Sequence, residues 1–229
     1  MMDMKIAGRG KIPSGEYGKI RMSGSGRLFG DVACASFSAS GSTKGEGIEC
    51  AEAFSSSGRC FFSGDIKAKS VDSSGSFTCE GDLTAKEISF SGSTKVRKSI
   101  KCDKLSSSGS LKVSGDIEAK KIWTSGSVNC DGLIKGETVE IKVDKVMNIG
   151  GINGKTVRIK RKLISVFPRR RVIIASDVEG DELYLEYVTC PRVTGKRVTL
   201  GKGCKIDLVQ YSESLETSQG SKLGQTEKI

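Results

Sequence analysis

The stretch LSSSGSLKVSGDIEAKKIWTSGSVNCDG, residues 105–132, carries Ser-Gly-Ser twice, at Ser108-Gly109-Ser110 and again at Ser125-Gly126-Ser127, an offset of 17 in the numbering. The spacing extends well beyond this stretch. Gly24, Gly41, Gly58, Gly75, Gly92, Gly109 and Gly126 follow at the same interval, each after a serine and all but one before a serine, Arg59 being the exception. A flexible linker has no reason to hold such a register, whereas a fixed self-similar period marks a repeat architecture.

Counted from each glycine as position 1, position 14 holds Phe37, Phe54, Val71, Ile88, Leu105, Ile122 and Val139, all large and apolar. Position 11 holds Cys34, Ala51, Ala68, Ala85, Cys102, Ala119 and Gly136, all small. Position 9 holds Val32, Glu49, Ile66, Leu83, Ile100, Ile117 and Ile134; only Glu49 breaks it, and a local slip would let Ile48 take its place. Positions 3 and 5 are mostly apolar or small. The pairs 3/5, 9/11 and 14/16 alternate with the period of a strand. Three short strands in every repeat leave no room for a helix. Ser-Gly-Ser marks one corner, and Gly30-Asp31, Gly64-Asp65, Gly81-Asp82 and Gly115-Asp116 mark another. At such corners glycine is expected to supply positive φ, and serine and aspartate to bond nearby backbone.

The fold expected is therefore all-β: a parallel β-helix with triangular 17-residue rungs, each hydrogen-bonded to the next at about 4.8 Å. The right-handed preference of parallel crossovers sets its expected hand. Residues 1–13 read as a short N-terminal arm and 14–142 as the regular β-helix with seven repeats. Residues 143–214 read as irregular rungs with a basic excursion, and 215–229 as a flexible polar tail. The irregular rungs are marked by Gly-x-x-apolar-x-apolar at Gly136-Val139-Ile141, Gly154-Val157-Ile159, Gly180-Leu183-Leu185 and Gly195-Val198-Leu200, with gaps of 18, 26 and 15. The gap of 26 implies an excursion at RKLISVFPRRRVII. About eleven rungs are expected, at the strand spacing of a sheet.

Composition narrows the function classes. The chain has 229 residues, 37 basic and 27 acidic, for a net charge of +10. Such a surface favours anionic partners without specifying a fold. MMDMKIAGRGK lacks the apolar core of a signal peptide, and no apolar run reaches the length of a membrane span; the chain reads as soluble and cytoplasmic. The eight cysteines show no C-x-x-C pair and the chain has no histidine. They read as scattered buried thiols rather than metal ligands or a disulfide framework. The glycines of SGSGRLFG suggest a phosphate loop, but the same residues recur in every rung. Asp31, Asp65, Asp82 and Asp116 read as turn formers. No enzyme activity, catalytic residue, cofactor, metal or small-molecule substrate is expected.

With Ser-Gly corners, 17-residue rungs and the run EGDELYLEYVTCPRVTGKRVTLGKGCKIDLVQYSESLE, Glu179–Glu216, the chain resembles the bactofilins. Within them it is most similar to the longer bacterial branch described as polymer-forming cytoskeletal protein. The resemblance covers roughly residues 14–215. It implies a right-handed β-helix that polymerises without nucleotide. It also implies a cytoplasmic scaffold, often at the membrane, recruiting cell-wall, shape or motility factors. Here the coil is longer and the tails shorter than in the usual member, and the apolar membrane-targeting peptide of some members is not evident in MMDMKIAG.

Two candidate surfaces follow. A β-helix ends in unpaired strand edges, and docking one end on another buries both without closing a ring. Ile20, Met22 and Leu28 are the candidates at one end, and Ile206, Leu208, Val209 and Tyr211 at the other. The partner is then a second copy of the chain, or a second bactofilin-like protein. The other surface is KTVRIKRKLISVFPRRR, residues 155–171, with Lys155, Arg158, Lys160, Arg161, Lys162, Arg169, Arg170 and Arg171 and no acid. It is a candidate patch for an anionic membrane surface, with nucleic acid the weaker alternative. The leading expectation is a nonenzymatic filament-forming scaffold. The alternative is a monomeric or small-oligomer adaptor that uses the basic patch.

Overall fold

A Cβ placed on Gly58 would fall on the carbonyl oxygen of Gly41, and one on Gly75 on that of Gly58; Gly41, Gly92 and Gly109 repeat the contact. Each of these corner glycines thus lies against the backbone of the rung before it, with no space for a side chain. This is why glycine recurs once in every rung, and it corrects the expectation of positive φ. The positive-φ glycines are Gly8, Gly15, Gly30, Gly203 and Gly220, and only Gly30 belongs to an expected corner. The backbone beside these glycines links the rungs: Ser57 N–H donates to Ala39 O and Arg59 N–H to Gly41 O, both at 2.9 Å.

A computed structural model describes residues 1–161 and 171–229. The protein is an all-β parallel solenoid with 17-residue rungs and about thirteen turns. The chain divides into two compact units, Met1–Ser114 and Gly115–Ile229.

In the first unit each turn has three faces. Face A is formed in successive turns by Arg9–Ile12, Ser25–Leu28, Ser42–Gly45, Arg59–Phe62, Ser76–Cys79, Ser93–Val96 and Ser110–Val113. All pair parallel to their neighbours without a register shift. Face B carries position 9 and face C position 14, often as one bent strand such as Ile66–Ser73. The slip at Glu49 is present: Val32 pairs with Ile48, Ile48 with Ile66, and a bulge between Cys50 and Ala53 restores the register. Glu49 thereby faces solvent and Ile48 enters the core.

The position-14 column is buried throughout, and its aromatic members pack on one another. Phe37 stacks on Phe54 with centroids 4.9 Å apart, and Phe54 meets Phe62 and Phe77 edge-on. Such contacts add to the burial that holds the turns together. The Gly-Asp corner is held by aspartate: Asp65 Oδ1 accepts the Asp82 N–H at 2.8 Å, and Asp82 Oδ1 accepts the Ser99 N–H at 2.9 Å. Each carboxylate satisfies a backbone donor one turn on, where the chain leaves the ladder. A further column, at position 16, is partly polar inside, with Ser56, Ser73, Ser107 and Thr124 among Ala39, Phe90 and Ile141. Ser56 and Ser73 are buried and share a hydrogen bond of 3.0 Å, whereas Ser107 Oγ, also buried, has no partner.

The second unit keeps the fold while losing the strict period. Gly136 pairs with Gly154, Val157 with Leu183, and Gly180 with Gly195, so turns of unequal length stack in register. These are the irregular rungs that the Gly-x-x-apolar-x-apolar pattern marks. Turn length varies, while Val139, Val157, Leu183 and Val198 all stay buried in one column.

Both ends differ from expectation. Residues 1–13 are a turn rather than an arm: Met2–Ile6 pairs with Gly15–Met22, and Arg9–Ile12 with Ser25–Leu28. Residues 215–229 are likewise mostly strand. One strand runs to Thr217, and Lys222–Lys228 pairs with it from Lys205 to Tyr211. Backbone pairing with the neighbouring turn orders both segments, the last despite its polar composition.

Candidate functional site

The extra turns relocate the candidate ends. Ile20, Met22 and Leu28 are fully or almost fully buried, because Met4, Ile6 and Ile12 pair directly over them. Ile206 and Val209 are buried under Leu223 and Thr226, while Leu208 and Tyr211, both half-buried, pair with Gln225 and Lys228. All seven residues therefore lie one turn inside the stack. Among the described residues, the strands that pair on one side only are Met2–Ile6 and Arg9–Ile12 at the start and Lys222–Lys228 at the end. Met4, Ile6, Leu215 and Leu223 are half-buried on these turns. Backbone donors and acceptors on such an edge, beside incompletely covered apolar side chains, can accept another strand.

These terminal turns carry a readable signal. Arg9-Gly10-Lys11-Ile12 precedes Ser25-Gly26-Arg27-Leu28 by one turn, with the same order of glycine, base and apolar residue. Gly220-Ser221-Lys222-Leu223 repeats Gly203-Cys204-Lys205-Ile206 one turn later, and both glycines have positive φ.

The basic stretch is only partly described: Lys162, Arg169 and Arg170 lie outside the described residues. Lys155, Arg158, Lys160, Arg161 and Arg171 are exposed, on two strands of the second unit. Arg158 pairs in register with Glu140 on one side and Tyr184 on the other. Lys160 Nζ sits 4.7 Å above the Tyr184 ring. The Arg161 backbone N–H donates to Glu186 Oε2 at 2.8 Å, and the Tyr184 hydroxyl donates to Glu186 Oε1. Arg158, Lys160 and Arg161 thus share their surroundings with an acid and an aromatic ring.

The thiols are placed for packing. Seven of the eight cysteines are buried and Cys102 is half-buried. Burial pushes the thiols of Cys60, Cys79, Cys102, Cys130 and Cys190 up to about 12. They therefore stay protonated and poorly nucleophilic at neutral pH. Cys34 and Cys50, on adjacent turns, have sulfurs 3.5 Å apart. The hydrogen bond between them lowers the Cys34 thiol and raises that of Cys50. Among the described residues no three histidine, cysteine or acidic side chains converge in a metal-binding cluster.

No family model matches the chain, and no solved structure does. The chain is similar to an uncharacterized protein, YhbF, of Bacillus subtilis, with 33% identity over 85 residues. That match covers 37% of this chain and 36% of YhbF.

Proposed function

We propose that the protein is a nonenzymatic scaffold of the bactofilin kind, assembling end to end into filaments without nucleotide. The observation that supports this most directly is the pair of half-open terminal turns. Met4 and Leu215 both occupy position 14 of their turns, and Ile12 and Leu223 both occupy position 5. A second copy docked with its first turn on the last turn of the first would continue the same apolar columns and satisfy both strand edges. A head-to-tail contact of that kind repeats without closing and gives a filament. A long stack of near-identical outer faces would then present repeated sites for recruited cell-envelope, shape or motility factors. A second bactofilin-like chain could enter the same stack.

The test is negative-stain electron microscopy of the full chain, without nucleotide, at low and high salt. Thin unbranched filaments are expected. Leu223→Arg should shorten or abolish them while leaving the strand content unchanged, because Leu223 is half-exposed on the last turn. Val209→Arg is unsuitable, since it would put a charge into a closed core. Monodisperse short particles at every concentration and salt would refute assembly. Filaments of normal length from Leu223→Arg would refute this end as the docking surface.

A further inference from the structure

On several pairs of neighbouring turns, opposite charges are matched. Lys104 Nζ lies 2.7 Å from Glu87 Oε1, Arg97 pairs with Glu80 at 3.5 Å, and Lys196 with Asp181 at 3.0 Å. Arg197 bridges Glu182 and Glu213, and Arg192 pairs with Asp177. This is the cross-strand complementarity that stabilises a sheet.

Face A of the first unit breaks the pattern. Its outward position 4 reads Lys11, Arg27, Lys44, then Phe61 and Thr78, then Lys95 and Lys112, each paired in register with the next. Arg9 and Arg59 stand at its other outward position, where the remaining turns carry serine. No acid occupies either position from Arg9 to Val113. Among the described residues none of these seven cations has an ion pair. The acids that follow face A are engaged at the corner: Glu46 accepts the Gly30 N–H, and Glu80 pairs with Arg97. Like charges directly opposite on neighbouring strands are destabilising. Lys11, Arg27 and Lys44, all exposed, form three in a row.

We infer that this face is a docking surface for an anionic lipid bilayer. Six turn-to-turn steps of about 4.8 Å spread the cations over about 29 Å. The absence of register shifts points them all to one side, so a planar anionic surface meets the whole array at once. Bases near such a surface are each attracted to it. Single-stranded nucleic acid fits less well, because its binders present open aromatic faces for base stacking. Here the Phe29 ring is covered by Arg27 at 4.9 Å and Lys11 at 5.7 Å, and Phe61 is left as a single outward ring in seven turns, too few for a run of stacked bases. The array begins on the first turn, at Arg9 and Lys11, but these exposed side chains stand on its outer face rather than in the inward columns, so lipid contact does not require end-to-end assembly.

The test is flotation of the full chain with vesicles of phosphatidylserine in phosphatidylcholine, or of phosphatidylcholine alone. Flotation separates lipid-bound protein from filaments, which sink. Wild type should float with the anionic vesicles only and be released by salt. Lys11→Glu/Arg27→Glu/Lys44→Glu should weaken binding by about a hundredfold or more, from the attraction of roughly 1 kcal/mol per base. Lys67→Glu/Lys69→Glu/Lys86→Glu changes the net charge equally elsewhere and should float nearly as wild type. A neutral Lys11→Gln/Arg27→Gln/Lys44→Gln variant, which relieves repulsion, guards against loss of fold and should also fail to float. Equal loss in the two glutamate variants, retention in the face A variants, or wild type that binds single-stranded DNA but no vesicle would each overturn the proposal.

Discussion

Replacing Gly58 with alanine tests what holds the period. The new Cβ would overlap the Gly41 carbonyl oxygen, and would lie 2.8 Å from the Gly41 carbonyl carbon and 2.9 Å from the Ser40 oxygen. Ordinary carbon–oxygen approaches between strands begin at about 3.3 Å. All three atoms are backbone, so relief requires the two turns to separate. The flanking bonds from Ser57 N–H to Ala39 O and from Arg59 N–H to Gly41 O, both 2.9 Å, are the first to stretch. Losing two backbone bonds with part of their desolvation cost uncompensated gives a destabilisation of about 3–5 kcal/mol. The comparison is Gly8→Ala, where nothing lies within 4 Å but φ is 101°; its left-handed backbone costs about 1–2 kcal/mol. Urea unfolding measures both, and amide exchange at Arg59 reports whether the corner has opened. A Gly58→Ala variant no less stable than Gly8→Ala would refute close stacking as the reason for the repeat.

Two further outcomes can be measured in the same way. Ser107→Ala should be neutral or slightly stabilising, because it removes a buried hydroxyl without a partner; Ser73→Ala should cost about 1 kcal/mol, because it removes the acceptor of the buried Ser56 hydroxyl. Equal effects would mean that the two hydroxyls share a similar environment. The raised thiols make stability fall in alkali. Below the ordinary thiol value of 9.0 folded and unfolded chains hold the same protons; above it the unfolded thiols ionise while Cys60 and Cys79 do so only near about 12. Each such thiol contributes a loss approaching about 1.4 kcal/mol per pH unit between those limits. The gap between urea midpoints at about pH 8 and about pH 10 should narrow when both are changed to alanine, the remainder belonging to Cys102, Cys130 and Cys190; an unchanged gap would rule Cys60 and Cys79 out as a source.

The core of the first unit was legible because its side chains obey one periodicity. Even the displaced Glu49 could be read, since Ile48 stands beside it and an apolar column tolerates a one-residue slip better than a buried carboxylate. The irregular turns of the second unit were legible where glycine and two apolar residues kept their mutual spacing. The ends were harder to read: Met2–Ile6 and Arg9–Ile12 lack the Ser-Gly-Ser corner between them, and Lys222–Lys228 owes its order to backbone pairing that its polar residues do not advertise. The reason for the corner glycines was also hidden, since a conformational and a steric requirement leave the same letter. The basic column on face A escaped notice for a different reason. Its members lie a full turn apart along the chain, whereas Lys155–Arg171 is conspicuous in the sequence as a contiguous run. In a solenoid the nearest neighbours of a side chain are one period away, so charge must be counted modulo the turn.

The interchangeable turns of the first unit have an evolutionary consequence. Excising residues 76–92 would join Gly75 to Ser93, restore Ser-Gly-Ser, and set Ile100 on Ile66 and Leu105 on Val71, every inward column intact. Losing one residue fewer would turn inward side chains outward. A DNA duplication or deletion of one repeat therefore lengthens or shortens the stack by a single step of about 4.8 Å. Length becomes a heritable quantity that changes in whole units, open to selection without a new core having to evolve.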